Sequence, residues 1–309
     1  METERLIIDR VRETDKADYF RNISHDKKVL ETFVCRYAET EDELDVSPYI
    51  ANEKLFAIRL KETGKLIGII LYFEDDGFSC EIGYGIGSDH WNRGYVTEAT
   101  ERFLEYCFEE KGFTTVYASY FTGNEASRRV MEKCGMTYCR FSEKEFTYLD
   151  KERDLTYLAL SRGDGFTVKM NALSADTFLE LYSSVGWEPP CREQVETALR
   201  HSAASFTAYD GDKPVGMARL IGDFGMSFYI KDLAVLPEYQ SRGVGRLITR
   251  VLEDLILHSI PEGWAVSLEL ISTKEAVGFY KSRGFEERPC EYDGPGMFKM
   301  LRRAKKGAE

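Results

Sequence analysis

Residues 236–247, LPEYQSRGVGRL, lie between an apolar strand-like run and an amphipathic helix-like run. The stretch holds two glycines, Gly243 and Gly245, with arginines at positions 242 and 246. Glycines at a helix start let a ligand come close to the backbone, and the first N–H groups of a helix attract anions. The stretch therefore predicts a strand, an anion-binding loop and a helix in succession.

Two familiar phosphate loops do not fit this sequence. A Walker loop requires GxxxxGK[ST], which is absent from the chain. The glycines of GYGIGSD, residues 83–89, alternate instead of following GxGxxG, and no acidic residue follows at the expected place on a second strand. What remains is Q-x-x-G-x-G at a helix start, from Gln240 to Gly245.

The landmarks around this loop occur twice. Gly94 and Gly135 are 41 residues apart, and so are Gly243 and Gly284. Upstream, GKLIG at 64–68 matches DKPVG at 212–216 at nearly the same offset. Such spacing predicts two copies of one fold. The small, polar SRGDG at 161–165 is predicted to be the linker between domains of residues 1–162 and 165–309.

Each copy is predicted to fold in the same order. Helical segments come first, at 14–45 and 174–203, followed by two strands joined by a tight turn. An apolar strand, the glycine loop, a long amphipathic helix, another strand, a short helix and a closing strand then follow. This order indicates an α/β fold with a mixed sheet in each domain.

Composition narrows the function classes. The net charge is −12, of which −10 belongs to residues 1–164, so a nucleic-acid partner is disfavoured. No run is long enough and apolar enough for a membrane span, and METERLIIDR does not resemble a signal peptide. Seven cysteines without a CxxC pair fit reduced thiols in a cytoplasmic protein, and four scattered histidines predict no metal site.

LAVLPEYQSRGVG, followed downstream by FYKSRGF, resembles the acetyl-CoA-dependent GNAT N-acetyltransferases. The first half, with EIGYGIGSDHWNRGYVTEATERF and NEASRRVMEKCGM, is similar to the GNAT branch that acetylates ribosomal-protein N-termini, for example on alanine. The resemblance implies two consecutive GNAT domains, each with a mixed, mostly antiparallel sheet that splays at its centre and is flanked by helices. It also implies that acetyl-CoA is the acetyl donor and that its pyrophosphate lies on the loop N–H groups.

In the second half, the resemblance assigns a thioester-binding strand, a pyrophosphate loop and a proton donor. The backbone N–H that stabilises the oxyanion maps to Leu233-Ala234-Val235, on the strand that splays at a bulge, and near Tyr84-Gly85-Ile86 in the first half. Tyr280 matches the tyrosine that protonates the departing thiolate, although it could also be only a half-buried aromatic. The acetyl-CoA contacts expected in this half are Leu233, Ala234, Val235, Gln240, Ser241, Arg242, Gly243, Val244, Gly245 and Arg246.

The first half departs from this pattern. An overlay at an offset of 149 places Met131 opposite Tyr280, Val96 opposite Gly245 and Trp91 opposite Gln240. Because a β-branched Val96 crowds the backbone, weaker binding of acetyl-CoA is expected here. The cofactor contacts expected in this half are Ile86, Trp91, Asn92, Arg93, Gly94, Tyr95, Val96, Asn124 and Ser127, of which Asn124 and Ser127 could instead cap a helix.

The base and the acceptor amine are less defined. Asp232 and Glu81 are candidate bases, and Trp187 is a candidate for the roof of the acceptor site or for a core residue. The acceptor is predicted to be a small amine (polyamine, aminoglycoside or amino acid), a protein N-terminus or a lysine. A coenzyme A-binding sensor or scaffold in which one or both domains do not turn over is the alternative, and a homodimer is left open.

Overall fold

The computed structural model describes residues 1–288 and 296–302 of the 309-residue chain. The chain folds as two compact units, the first Met1–Leu160 and the second Ser161–Glu309. Among the described residues, no helix combines the length and the apolar character that crossing a membrane requires.

The first unit contains seven strands and five α-helices among its described elements. Its strands are β1 (Leu6–Asp9), β2 (Leu55–Leu60), β3 (Leu66–Phe73), β4 (Ser79–Ile86), β5 (Thr115–Phe121), β6 (Thr137–Tyr148) and β7 (Lys151–Gly163), of which β7 ends in the second unit. Its helices are α1 (Lys16–Tyr19), α2 (Lys27–Leu30), α3 (Ser47–Ala51), α4 (Tyr95–Glu105) and α5 (Glu125–Lys133). Single turns of 3₁₀ or π-helix extend α1 and α4, at Glu13–Asp15, Phe20–Ser24 and Tyr106–Glu110, and a separate 3₁₀ turn lies at Ser88–His90.

The second unit repeats this series. Its strands are β8 (Phe166–Met170), β9 (Ala204–Asp210), β10 (Lys213–Gly222), β11 (Ser227–Val235), β12 (Ala265–Ile271), β13 (Glu286–Arg288) and β14 (Gly296–Arg302). Its helices are α6 (Ala175–Ser184), α7 (Arg192–Arg200), α8 (Val244–Ser259) and α9 (Val277–Ser282), with 3₁₀ turns at Pro237–Tyr239 and Lys274–Ala276.

The two units share one strand order. In the first, the neighbours run β1-β2-β3-β4-β5-β7 with β6 beside β7, and in the second they run β8-β9-β10-β11-β12-β14-β13. Antiparallel pairs join β1 through β4 and β8 through β11, whereas β4 and β5 are parallel, as are β11 and β12. Each unit therefore has the mixed, mostly antiparallel sheet that the sequence predicts.

The parallel strands part after a few residues. The register of β4 with β5 runs from Ser79 to Ile82, while β4 stays paired with β3 as far as Ile86. The register of β11 with β12 covers residues 227–229, while β11 stays paired with β10 as far as Val235. In the described part of the chain, residues 83–86 and 230–235 thus have one edge without a neighbouring strand.

A β-bulge interrupts β11 where the strands have parted. Met217 pairs with Ala234 and Arg219 with Lys231, so Asp232 and Leu233 together lie opposite Ala218. Asp232 has a φ of 53°, in the left-handed region that non-glycine residues rarely occupy. In β4, the register with β3 is regular through the corresponding residues.

Helices cover both faces of the first unit's sheet. One core joins Ile82 and Cys80 of β4 to Phe103 of α4 and Met131 of α5. A second core joins Ile69 of β3 to residues of the N-terminal helical region, including Tyr19, Ile23 and Val29. In the second unit, α8 lies close to β10, because a Cβ atom at Gly216 would come within 2.9 Å of Val244 Cγ1.

Two local predictions differ from the structure. The helical segment expected at 14–45 is helical only to Leu30, and the chain from 31 to 46 forms no regular helix. The predicted linker SRGDG has regular structure: Ser161–Gly163 belong to β7 and pair with β8, and Asp164-Gly165 form the turn of a hairpin. Both turn residues have positive φ, 53° and 82°, as a two-residue hairpin turn requires.

A buried ion pair joins the N-terminal helical region of the first unit to its sheet. Arg59, on β2, is 3% exposed, and it donates to both carboxylate oxygens of Asp15 and, through Nε, to Asp9 Oδ1 at 2.6 Å. Burial acts to raise the pKa of Asp15, but hydrogen bonds from Arg59 and from the Arg12 backbone outweigh it and hold that pKa below the ordinary 3.8. The charged pair therefore contributes to the stability of the folded state.

We predict that Asp15→Asn lowers the free energy of unfolding by about 3–5 kcal/mol, because it leaves the buried Arg59 without its main partner. Because the folded-state pKa of Asp15 is lowered, the loss of unfolding free energy relative to wild type has its full size above a pH of about 4. It shrinks as the pH falls through the folded pKa. Urea denaturation at a series of pH values measures it.

Asp18→Asn is the matched control, since Asp18 pairs at 3.6 Å with Arg21, whose side chain is 61% exposed. Asp18→Asn should lower the free energy of unfolding by less than about 1 kcal/mol. Equal effects of the two substitutions at pH 7 would contradict the role assigned to the Asp15–Arg59 pair.

Candidate active site

In the second unit, α8 begins without a capping side chain. Its N-cap residue is Gly243, whose φ of 94° is left-handed, and the first backbone bond of the helix runs from the Leu247 N–H to the Gly243 oxygen at 2.9 Å. Within the described residues, the N–H groups of Val244, Gly245 and Arg246 have no acceptor. This helix start is a ready site for an anion, since free N–H groups and the helix dipole both favour negative charge.

Gln240 ties the loop to the end of β11. Its Nε2 donates to the Val235 oxygen at 3.1 Å, across five residues of chain. The glutamine of Q-x-x-G-x-G thus fixes the loop relative to the strand whose edge is free. The flanking arginines have partners of their own: Arg242 lies over the rings of Tyr239 and Phe166, and Arg246 pairs with Asp164 at 2.8 Å.

A cavity of about 1240 Å³ joins the helix start to the free edge of β11. It brings together most of the residues that the sequence predicts for this half. These are Asp232, Leu233, Ala234, Val235, Gln240, Ser241, Arg242, Gly243, Gly245, Arg246 and Tyr280, with Trp187. The side chain of Val244 does not line the cavity; it is 1% exposed and faces β10.

Tyr280, on α9, contributes a phenol to this cavity. Its ring contacts those of Phe279 and Phe285 at 5.0 and 5.7 Å, and among the described residues its hydroxyl has no hydrogen-bond partner. Burial raises the pKa of Tyr280 above the ordinary tyrosine value, and the hydroxyl carries its proton at neutral pH, as any tyrosine hydroxyl does. A buried, protonated and unengaged phenol has the properties of a proton donor.

Asp232, at the bulge, is held by Arg219 of β10. Arg219 Nε donates to Asp232 Oδ2 at 2.6 Å, and Arg219 Nη1 donates to Ser202 Oγ at 3.1 Å. Both side chains of the ion pair are less than 15% exposed. The pair restrains a backbone conformation that is unfavourable for aspartate. Sequence reasoning missed Arg219, although its opposite charge on the neighbouring strand was a signal.

Trp187 lies between the large cavity and a second one of about 540 Å³. Ile230, Asp232 and Ile271 line both cavities as well, and Tyr182, Tyr229 and Glu188 line only the second. Trp187 contacts the Tyr182 ring edge to face, with the centroids 4.9 Å apart. The second cavity therefore approaches the parted strands from the side of α6.

The first unit builds the same helix start with different residues. Gly94, with a φ of 79°, is the N-cap of α4, and the Glu98 N–H donates to its oxygen at 3.1 Å. Trp91 Nε1 donates to the Ile86 oxygen at 2.9 Å. At the offset of 149, Trp91 corresponds to Gln240 and Ile86 to Val235, so an indole makes the contact that an amide makes in the second unit.

A cavity of about 540 Å³ lies at this helix start. Of the residues predicted for the first half, it is lined by Ile86, Trp91, Asn92, Gly94, Tyr95, Val96, Asn124 and Ser127. Arg93 is outside the lining, and its backbone oxygen accepts from Arg5 Nη1 at 2.9 Å. The Asn124 side chain caps α5 by accepting from the Ser127 N–H at 3.2 Å.

Arg5 is a residue of this helix start that sequence reasoning did not identify. Its guanidinium bonds Glu98, lies over the Tyr95 ring at 4.7 Å, and is 3.3 Å from the position a Cβ atom of Gly94 would take. No local pattern marks it, because it lies on the chain just before β1, about ninety residues from the loop.

Cys80 and Ile82 of β4 point to the core that contains α4, whereas Glu81 points to the opposite face of the sheet. It is 8% exposed and accepts a hydrogen bond from Ser119 Oγ at 2.5 Å. Further along this face, Gly83 and Gly85 face the ring of Phe33, which lies 2.8 Å from the position of a Cβ atom at Gly85. Glu81 is thus next to the point where β4 and β5 part, and it does not line the cavity at the helix start.

Comparison with known proteins agrees with this geometry. Residues 5–137 match a family model described as an acetyltransferase (GNAT) domain, and residues 201–287 match a second model of the same description. The uncharacterized protein YkkB of Bacillus subtilis (strain 168) is 31% identical, over 45% of this chain and 89% of that protein. The uncharacterized N-acetyltransferase YoaA of the same organism is 30% identical, over 44% of this chain and 81% of that protein.

A solved structure, an acetyltransferase (GNAT family) from Bacillus anthracis, is 26% identical with a TM-score of 0.47, over 52% of this chain and 97% of that one. The predicted family and the predicted α/β fold are confirmed by the family models and by the sheets described above. The chain belongs to the GNAT acetyltransferases, with two GNAT domains in tandem, and it is an acetyltransferase that uses acetyl-CoA.

Proposed function

We propose that the protein transfers the acetyl group of acetyl-CoA to a primary amine, and that the second unit, Ser161–Glu309, carries most of this activity. The observation that supports this most strongly is the large cavity of the second unit. It combines a helix start with free N–H groups, a strand with a free edge and a protonated phenol.

Each part of this cavity has a role in the proposed reaction. The N–H groups at the start of α8 hold the pyrophosphate, and the free edge of β11 pairs with the pantetheine arm. The backbone N–H groups of 233–235 stabilise the oxyanion that forms when the amine nitrogen attacks the thioester carbon. The C–N bond forms, the C–S bond breaks, and Tyr280 gives its proton to the departing thiolate.

The amine is proposed to enter through the second cavity, past Trp187. Asp232 lines both cavities, and it is the candidate for taking the proton that the amine loses. Its ion pair with Arg219 supports an additional role, which is to keep the bulge in the conformation that aims the N–H groups of 233–235 at the thioester. The proposed acceptor belongs to one of the three classes inferred from the sequence, namely a small amine, a protein N-terminus or a lysine.

The first unit differs from the second in the residues around its helix start. Val96 lines its cavity where the second unit has Gly245, and the cavity has less than half the volume of the second unit's. Met131 is buried in the core where the second unit has Tyr280. We therefore propose weaker binding of acetyl-CoA in the first unit.

The function as a whole is tested by thiol release from acetyl-CoA with the full-length protein and a panel of amines. The panel contains spermine, kanamycin, free lysine, and peptides beginning with alanine or containing an internal lysine. Release that depends on one class of amine identifies the acceptor. Saturable acetyl-CoA binding with no release for any amine would favour the sensor or scaffold.

We predict that Tyr280→Phe lowers kcat with the preferred amine by about 10²–10⁴-fold, because a general acid contributes an effect of that size. The affinity for acetyl-CoA should change little, since the N–H groups of α8 are untouched and the ring keeps its contacts. Steady-state kinetics and calorimetry measure the two quantities. Tyr239→Phe, which removes another phenol that lines the same cavity, is the control, and an equal effect there would remove Tyr280 from this role.

We also predict that the residue at position 245 sets acetyl-CoA affinity. Gly245→Val should weaken binding to the second unit at least about tenfold, since a β-branched side chain covers the backbone where the pyrophosphate lies. Val96→Gly should strengthen binding to the first unit. Calorimetric titration of the full-length variants resolves the two sites.

Gly278→Ala is the matched control, because a Cβ atom at Gly278 would have open space around it. Position 245 is a cleaner test than position 243, where any side chain would be strained and would approach Asp164 Oδ2 at 2.7 Å. Unchanged binding in both Gly245→Val and Val96→Gly would mean that the pyrophosphate is held elsewhere.

A further inference from the structure

A second phenol, partly buried, lies in the cavity of the first unit. Tyr84, on the part of β4 that has left β5, points its hydroxyl at the first turn of α5. The hydroxyl is 3.0 Å from Ser127 Oγ and 3.2 Å from the Ser127 backbone oxygen. Tyr84 and Ser127 both line the cavity at the start of α4.

The two units carry their tyrosine at different positions of the shared fold. At the offset of 149, Leu233 corresponds to Tyr84, Ala276 to Ser127 and Tyr280 to Met131. The first unit thus has its tyrosine on the splayed strand and an apolar residue on the helix. The second unit has the reverse. In each, one phenol lies between the splayed strand and the helix that follows the next strand.

The spacing of Ser127 and Met131 on α5 explains why a tyrosine on the strand can bring its hydroxyl close to the place that a tyrosine on the helix would reach. Ser127 and Met131 are four residues apart on α5 and therefore lie on one face of it, as Ala276 and Tyr280 do at α9. A hydroxyl that reaches Ser127 from β4 consequently arrives one turn from the position of the tyrosine in the second unit. Met131, 1% exposed and without a transferable proton, does not take that role.

Burial makes both phenols less acidic than a free tyrosine. Burial raises the pKa of Tyr84, with the hydrogen bond to Ser127 acting in the other direction without cancelling it. The same effect of burial acts on Tyr280. A tyrosine is neutral near pH 7 even without this shift, so each phenol carries a proton, and the geometry of the cavity is what places that proton.

A carboxylate lies on the opposite face of the same strand. Glu81 precedes Tyr84 by three residues, so the two side chains point to opposite faces of β4. Glu81 is buried and bonded to Ser119 at the place where β4 and β5 part. An acetyl-transfer site requires a proton donor on the side of the thiol and a proton acceptor on the side of the amine.

We propose that the first unit is a second acetyl-transfer site, in which Tyr84 donates the proton to the coenzyme A thiolate. This inference rests on the proposed function of the second unit in one respect: the place of Tyr280 indicates where the proton is needed. The amine nitrogen forms a bond to the acetyl carbon, the C–S bond breaks with its electron pair on sulfur, and the Tyr84 proton neutralises that sulfur. Glu81 takes the proton that the amine loses, and the Tyr84 phenolate regains its proton from solvent.

The test uses the full-length protein carrying Tyr280→Phe, so that thiol release from acetyl-CoA reports mainly on the first unit. The acceptors are spermine, kanamycin, lysine and the two peptides named above. Adding Tyr84→Phe should lower the remaining kcat by about 10²-fold or more, with the affinity for acetyl-CoA unchanged, since a general acid is lost and packing is kept. Tyr72→Phe, which removes a buried phenol of the same core, is the control and should be nearly silent.

Several outcomes would overturn the inference. One is an unchanged kcat when Tyr84→Phe is added, and another is that Tyr84→Phe abolishes acetyl-CoA binding instead of lowering kcat. A third is that the Tyr280→Phe protein releases no thiol with any amine while its first unit still binds acetyl-CoA. A loss of turnover in Ser127→Ala with Tyr84→Phe silent would assign the proton to the serine instead. If Tyr280→Phe alone is silent and Tyr84→Phe is severe, the proposed function of the second unit fails and this inference stands.

Discussion

The parting of two parallel strands is the constraint on which the rest of each unit depends. A strand that loses its neighbour exposes N–H and C=O groups that require other partners. In β4 and β11, the neighbour on the other side continues to pair, so each strand stays in its sheet and presents one free edge to a cavity. The unpaired N–H and C=O groups of this edge destabilise the folded protein when no ligand is bound. A ligand with amide groups can form hydrogen bonds with them.

The loop before each helix is tied to the end of its splayed strand by an equivalent hydrogen bond. Gln240 and Trp91 differ in size, shape and chemistry, yet each donates one N–H to the last residue of its splayed strand. A typical hydrogen bond of this kind stabilises by only about 1 kcal/mol, so its importance is geometric. It sets the helix start, with its unpaired N–H groups, beside the free strand edge.

The two units keep one backbone and distribute side chains on it differently. The second has the bulge, the Arg219–Asp232 pair and a phenol on α9, whereas the first has a regular strand, a phenol on that strand and a smaller cavity. Differences of this kind alter which ligand fits and how a proton moves, without altering the order of strands. A duplicated fold can therefore hold two sites of unequal affinity.

The sequence by itself determined the family, the repeat and most residues around each helix start, because those signals are local. The glycines of each loop, a run of alternating or helical periodicity and a fixed spacing of 41 residues are visible along the chain. Only the tertiary structure decided that SRGDG is a hairpin, that residues 31–46 are not helical, and that Trp91 replaces Gln240 in its contact. It also decided that Arg219 holds Asp232 and that Tyr84 reaches Ser127, because such partners are far apart in sequence and are chosen by strand register and packing.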